Sequence, residues 1–104
     1  MSRALILGLG SSGLAMSRWL QRGGWTLRVA DTRSAPPQLE ALKRECPEAE
    51  FRAGAFCEDL LHDVELVAVS PGLSPAQPPA ATLLKHARRR KIEQCVRRVD
   101  EHLA

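Results

Sequence analysis

The stretch that decides the fold lies at the start of the chain and reads Ala4-Leu5-Ile6-Leu7-Gly8-Leu9-Gly10-Ser11-Ser12-Gly13. Its first four residues are continuously apolar, which is typical of a strand buried on both faces of a parallel sheet. The glycines that follow have the spacing G-x-G-x-x-G, and a helical pattern begins directly after them. A strand, a glycine loop and a helix in this order indicate a site for a phosphate group.

The glycine loop, residues 8–13, has a distinct expected role at each position. Gly8 allows the tight turn, Gly10 lets the backbone approach a phosphate, and Gly13 lets the helix lie near the strand. Ser11 and Ser12 add hydroxyl groups that can donate to diphosphate oxygens. The alternative interpretation is a glycine turn that only packs the strand against the helix.

Predicted strands and helices alternate along the rest of the chain. Further strands are indicated at residues 26–30, 49–53 and 65–69. Helices are predicted from the glycine loop to Gly23-Gly24, from Pro36-Pro37 to before Pro47, over 56–61, and from near Pro78-Pro79. This alternation implies right-handed crossovers, and therefore an α/β, Rossmann-like fold with one parallel sheet and helices on both faces.

Size and charge narrow the classes of function. At 104 residues the chain has the length of a single domain. Residues 1–84 carry eight Lys/Arg and nine Asp/Glu, whereas residues 85–104 carry seven and three, so the basic excess is confined to the end. A nearly neutral body with four scattered aromatic residues is a poor match for a nucleic-acid-binding surface.

No catalytic or metal-binding pattern stands out. The three cysteines are widely spaced and form no C-x-x-C pair, which is typical of reduced thiols in the cytoplasm. No apolar run is long enough to span a membrane, and no signal-peptide cleavage site follows the first strand. The histidines have no nucleophile or acid at a telling interval; they are His62, His86 and His102. We therefore expect a cytoplasmic protein without a resident metal or catalytic residue.

Two further segments are expected at the same edge of the sheet as the glycine loop. Asp31 ends the second strand, where a carboxylate can accept from ribose hydroxyls, as in an NAD site. Arg33 would instead tolerate a 2′-phosphate or stack on a base, and Asp31 could simply cap a turn. Ser70-Pro71-Gly72 follows the fourth strand and is interpreted either as part of the ligand site or as a plain turn.

The end of the chain has a helical pattern of its own. Ile92, Val96, Val99 and Leu103 are spaced so that they share one helical face. The pattern predicts an amphipathic helix over residues 92–104, separate from the domain at 1–91. A helix of this kind can cover a sheet edge or pair with a second copy of the chain in a homodimer.

Three strings taken together resemble the N-terminal domain of the UDP-N-acetylmuramoyl-L-alanine:D-glutamate ligases, a family of ATP-dependent Mur ligases of peptidoglycan synthesis. They are Ile6-Leu7-Gly8-Leu9-Gly10-Ser11-Ser12-Gly13, Val29-Ala30-Asp31-Thr32-Arg33 with Ala35-Pro36-Pro37, and Val67-Ala68-Val69-Ser70-Pro71-Gly72. The resemblance covers residues 3 to about 91. It implies a domain that binds a uridine diphospho-sugar rather than a dinucleotide.

The resemblance also implies a role for each matching segment. Gly10, Ser11, Ser12 and Gly13 match the loop that contacts the diphosphate. The segment that holds the uracil ring is matched by Asp31, Thr32 and Arg33, and the loop that closes over the nucleotide by Ser70, Pro71 and Gly72. By the same resemblance, a strand rather than a helix should begin near Ile92.

Other parts of the family pattern are missing. The chain has no G-K-[ST] phosphate loop, and the resemblance implies that ATP, Mg²⁺ and D-glutamate are bound by central and C-terminal domains that these residues do not include. We therefore expect the chain to bind UDP-N-acetylmuramoyl-L-alanine but to be inactive as a ligase on its own. Two other functions stay open, an NAD(P)-binding oxidoreductase domain and a ligand-sensing module that dimerises through its tail.

Overall fold

The structure is a computed structural model, and it describes residues 2–70, 80–89 and 93–96. Helices and strands alternate along the chain in the order β1 (Arg3–Leu7), α1 (Ser11–Arg22), β2 (Thr26–Asp31), α2 (Leu39–Glu45), β3 (Glu50–Ala53), a 3-10 helix (Glu58–Leu61), β4 (Val64–Val69), α3 (Ala80–Arg89) and β5 (Glu93–Val96). All five strands belong to one parallel sheet in the order β3-β2-β1-β4-β5. The predicted Rossmann-like fold is confirmed.

Strand β1 lies in the middle of the sheet because its residues are apolar on both faces. Residues 4–7 are fully buried, with β2 on one side and β4 on the other. The chain runs outward through β2 and β3, returns past β1, and then runs outward again through β4 and β5. The strand order therefore reverses between β1 and β4, which is the position where open α/β sheets bind ligands.

Two apolar cores cover the two faces of the sheet. On one face Ile6 and Val29 pack with Leu14 and Met16 of α1 and Leu42 of α2. On the other face Leu5 and Leu7 pack with the 3-10 helix and α3; the contributing residues are Leu60, Leu61, Leu83, Leu84 and Ala87. The sheet is thus buried on both sides, as the continuous apolar strands require.

Helix boundaries follow the predicted start and stop signals closely. Helix α1 begins in the glycine loop and ends at Arg22, before the glycine pair. Helix α2 begins at Leu39, just after the proline pair, and ends before Pro47. The short helix predicted over 56–61 is a 3-10 helix that begins at Glu58. A single turn of this length has too few hydrogen bonds to extend into an α-helix.

The predicted C-terminal helix is wrong over Glu93–Val96. These residues form β5, which pairs in parallel with β4, as the family resemblance implied. Spacing along one helical face does not reveal that α3 returns the chain to the open side of β4, where pairing satisfies backbone N–H and C=O groups. The rest of the predicted tail, 97–104, lies outside the described residues. The predicted homodimer needed a helix over 92–104, and the described residues Glu93–Val96 do not form that helix.

Candidate functional site at the carboxyl edge of the sheet

The carboxyl ends of β1, β2 and β4 meet where the strand order reverses. The backbone N–H of Gly8 donates to the carbonyl oxygen of Ala30 at 2.8 Å, which joins the glycine loop to the end of β2. The N–H of Ser70 donates to the carbonyl oxygen of Leu7 at 3.0 Å and joins the end of β4 to β1. Segments from three different parts of the sequence are thus brought to one edge.

The glycine loop has the close backbone approach that its spacing predicts. Gly8 has a φ of 94°, a conformation that residues with a Cβ rarely adopt. A Cβ added at Gly13 would overlap the carbonyl oxygen of Gly8 and lie 3.0 Å from its carbonyl carbon. By contrast, a Cβ added at Gly10 would meet nothing within 4 Å. The loop therefore packs tightly at Gly13 and leaves open space at Gly10.

Helix α1 presents its N-terminus to this open space. Gly10 is the N-cap, and it offers no side chain to the free N–H groups of the first turn. The first turn holds no acidic residue, Ser11 is exposed and Ser12 is half-buried. Unsatisfied N–H groups and the positive end of a helix dipole favour an anion. The arrangement is suited chemically to a phosphate or diphosphate group.

Asp31 connects the end of β2 to the glycine loop. The backbone N–H of Leu9 donates to Oδ2 of Asp31 at 2.8 Å, and the N–H of Arg33 donates to Oδ1 at 2.9 Å. The first of these bonds spans 22 residues of sequence and is buried. The turn cap at Asp31 is thus present, and it is combined with a contact to the glycine loop.

The Arg33 guanidinium pairs with the same carboxylate. Its Nε lies 2.9 Å from Oδ1 and its Nη2 lies 2.8 Å from Oδ2 of Asp31. The Asp31 side chain is 4% exposed, whereas the Arg33 side chain is 55% exposed. The guanidinium, together with the N–H groups of Leu9 and Arg33, lowers the pKa of Asp31 to about 2. The carboxylate stays ionised at neutral pH, and the arginine faces outward.

The low pKa of Asp31 predicts a loss of stability in acid. Because the pKa is about 2 in the folded chain against an ordinary 3.8, the unfolded chain takes up a proton first as the pH falls. A stabilisation of about 2 kcal/mol, present in full above about pH 5, is lost between about pH 4 and pH 2. Asp31→Asn should therefore be less stable than the wild type at pH 7.

Urea denaturation followed by tryptophan fluorescence at pH 7, 5 and 3 measures this effect. Between pH 5 and pH 3 the free energy of unfolding should fall less for Asp31→Asn than for the wild type. Glu45→Gln is the control, because Glu45 also accepts two bonds from an arginine but sits in an exposed pair. A parallel fall in Asp31→Asn and the wild type would contradict the assignment.

Most of the predicted site residues meet at this edge. The loop residues Gly10, Ser11, Ser12 and Gly13 lie beside the pair of Asp31 and Arg33, with Ser70 buried at the end of β4. Thr32 is exposed and follows Asp31 directly. Pro71 and Gly72 lie outside the described residues.

Sequence reasoning missed Leu9 as a site residue. Its apolar side chain is buried in the core, and only its backbone N–H takes part in the site. An Asp at the end of a fully buried strand was the available signal, because a buried carboxylate needs donors nearby.

The described residues contain no cluster of three or more His, Cys, Asp or Glu side chains that could hold a metal ion. Within the same residues, no helix is long and apolar enough to cross a membrane.

Comparison with known proteins gives the family. The family model for the Mur ligase MurD-like, N-terminal domain matches residues 2–94. A UDP-N-acetylmuramoylalanine–D-glutamate ligase of Ralstonia nicotianae is 56% identical over 88 residues, and that of Burkholderia multivorans is 55% identical over 89 residues. Each alignment covers 85% of this chain and 18% of the relative. The chain therefore spans less than a fifth of the length of these relatives.

Solved structures share the fold at low sequence identity. A pseudomurein peptide ligase type C from Methanothermus fervidus has a TM-score of 0.68 at 18% identity, covering 98% of this chain and 20% of that chain. The Kef C-terminal domain of Shewanella denitrificans, in an AMP-bound form, has a TM-score of 0.61 at 20% identity, covering 91% of this chain and 57% of that chain. Because the family model matches residues 2–94 of the 104 in this chain, the chain belongs to the MurD-like N-terminal domain family of Mur ligases.

Proposed function

We propose that this chain is the nucleotide-sugar-binding domain of an ATP-dependent ligase of peptidoglycan synthesis, which adds D-glutamate to UDP-N-acetylmuramoyl-L-alanine. The observation that carries the proposal is the open helix N-terminus of α1 next to an outward-facing Arg33. These two features offer one place for a diphosphate and one for a base, at the edge where the strand order reverses. Family membership supports the same ligand.

The diphosphate would bind over the glycine loop. A phosphate oxygen can approach the backbone closely at Gly10, because the space above it is open. The N–H groups of the first turn of α1 and the hydroxyls of Ser11 and Ser12 would donate to its oxygens. No carboxylate in the first turn repels the anion.

The uracil ring would bind at the end of β2. Arg33 has an exposed planar guanidinium that can stack on a base or donate to it. Thr32 is exposed beside it and adds a hydroxyl group. We assign Ser70, Pro71 and Gly72 to the loop that closes over the nucleotide from the β4 side.

The rest of the reaction is assigned to parts of the longer relatives that this chain does not include. The chain has no G-K-[ST] phosphate loop, and its described residues contain no acidic cluster for Mg²⁺. We assign the binding of ATP, Mg²⁺ and D-glutamate to those other parts of the ligase. This domain would hold and orient the UDP end of the substrate, while activation of the carboxylate takes place elsewhere in the ligase.

The geometry argues against an NAD site. An NAD-binding domain uses the carboxylate after its second strand to accept from ribose hydroxyls. Here both oxygens of Asp31 already accept from Arg33, and one also accepts from Leu9. A ribose would have to displace the arginine to reach the carboxylate.

Calorimetric titration with UDP, and with UDP-N-acetylmuramoyl-L-alanine, tests the proposal. Arg33→Ala should weaken UDP binding at least about tenfold, the loss of about 1.4 kcal/mol of contact energy. Arg18→Ala is the matched control. Arg18 makes the same two-bond pair with Glu45 and is similarly exposed, but it lies on the side of α1 facing α2. The UDP affinity of Arg18→Ala should equal that of the wild type.

Two outcomes would overturn the proposed function. One is the absence of any heat with millimolar UDP and with UDP-N-acetylmuramoyl-L-alanine. The other is quenching of the two tryptophans by NADH together with no response to UDP.

A further inference from the structure

The carboxylate of Asp31 has no acceptor position left for a ligand. An ionised carboxylate has about four lone-pair sites. Oδ1 accepts from the backbone N–H and the Nε of Arg33, both at 2.9 Å, and Oδ2 accepts from Leu9 N–H and Arg33 Nη2, both at 2.8 Å. All four donors come from the protein, so direct contact with a nucleotide would require one of these bonds to break.

The donors of Asp31 lie on the two halves of the proposed site. Leu9 stands between the first two glycines of the loop and directly precedes Gly10, the N-cap of α1. Arg33 lies beyond the end of β2, where the base would bind. One buried carboxylate therefore joins the diphosphate half of the site to the base half.

We infer that Asp31 is a positioning residue, whose carboxylate holds the glycine loop and the Arg33 guanidinium in one fixed arrangement and does not itself bind the nucleotide. The inference rests on the proposed function, since it assigns how the same UDP site is organised. Breaking the contact would let the loop and the arginine move independently. Ordering the loop and the arginine would then cost entropy when the nucleotide binds, and the affinity would fall.

The choice of base separates positioning from direct contact with the base. Uracil carries an N3–H donor, whereas N3 of cytosine is an acceptor. A carboxylate that contacted the base would favour UDP over CDP, and its conversion to an amide would change that preference. A positioning carboxylate acts on both ligands alike, because it acts only through the glycine loop and through an arginine that stacks on either base.

The experiment titrates UDP and CDP into the wild type, Asp31→Asn and Glu45→Gln. Asp31→Asn should weaken the binding of UDP and of CDP by the same factor, about tenfold, so that the ratio of the two dissociation constants is unchanged. Glu45→Gln should leave both constants unchanged, because its ion pair with Arg18 lies between α1 and α2. A change in the UDP to CDP ratio beyond about twofold in Asp31→Asn would overturn the inference.

A double-mutant cycle with Arg33→Ala gives a second test. If Asp31 acts mainly through Arg33, Asp31→Asn should cost much less UDP affinity in the Arg33→Ala background than in the wild type. Equal costs in the two backgrounds would show that Asp31 does not act through Arg33 and would contradict the inference.

A measurement on the wild type covers the case in which Asp31→Asn does not fold. The NMR signals of Arg33 Nε–H and Leu9 N–H should remain hydrogen-bonded and slow to exchange when UDP is added. Loss of either bond on binding would overturn the inference. If the wild type binds no UDP at all, the proposed function fails and the inference falls with it, whereas binding with a changed ratio removes the inference alone.

Discussion

Gly13→Ala is expected to destabilise the chain by about 3 kcal/mol or more, which is a large part of the stability of a domain this small. The added methyl group would overlap the carbonyl oxygen of Gly8. That oxygen belongs to the backbone of the glycine loop, so no rotation of a side chain can relieve the overlap. Either α1 must move away from β1 or the loop must change its conformation. The free energy of unfolding from urea titrations measures the effect.

Gly10→Ala is the matched control for this prediction. It introduces the same methyl group three residues earlier, where nothing lies within 4 Å and the φ of −97° suits any residue. The expected loss is about 1 kcal/mol at most, from the poorer N-cap. If the two variants were equally stable, the close approach at Gly13 would not exist in the folded chain.

Arg28→Ala is expected to cost about 3 kcal/mol of stability, although the residue is not part of the proposed site. The Arg28 side chain is only 6% exposed, and its Nη1 donates to the carbonyl oxygens of Leu60 at 2.7 Å and His62 at 2.9 Å. Its Nε also lies 3.2 Å from Glu50. Removing the guanidinium leaves two carbonyl groups without this donor and empties the space its side chain fills.

Arg52→Ala provides a comparison on the same carboxylate. Arg52 pairs with Glu50 at 2.8 Å, but its side chain is 43% exposed, so its loss should cost about 0.5 kcal/mol or less. Thermal unfolding of both variants at neutral pH measures the difference. Equal effects would mean that Arg28 stabilises the fold only through Glu50 and not through the carbonyl groups of Leu60 and His62.

The end of the chain illustrates where sequence patterns failed. The apolar spacing from Ile92 onward fits a helix, yet Glu93–Val96 form a strand. Four residues are too few for periodicity to distinguish the two structures. The deciding factor is the open side of β4, and the position of that edge depends on the arrangement of all the other strands. The family resemblance implies a strand there because the family's fold already includes the arrangement of all its strands.

For the core and the glycine loop, the sequence by itself was sufficient. The apolar run of β1, the glycine spacing and the alternation of strands with helices each act over a few residues, so local patterns determine these elements and their order along the chain. The same patterns predict that Asp31 and Arg33 lie at the carboxyl edge of the sheet. Gly13 was expected to allow close packing, and the structure has that packing.

Only the tertiary structure shows which groups Asp31 binds within the protein. From the sequence, Asp31 could be a ribose acceptor, a uracil ligand or a turn cap, because each of these roles places a carboxylate at the end of the second strand. Its bond to Leu9 spans 22 residues and exists only once β1 and β2 lie side by side. That bond and the bonds from Arg33 occupy the acceptor positions of the carboxylate. The capacity of a polar group depends on which partners the fold brings within hydrogen-bond distance.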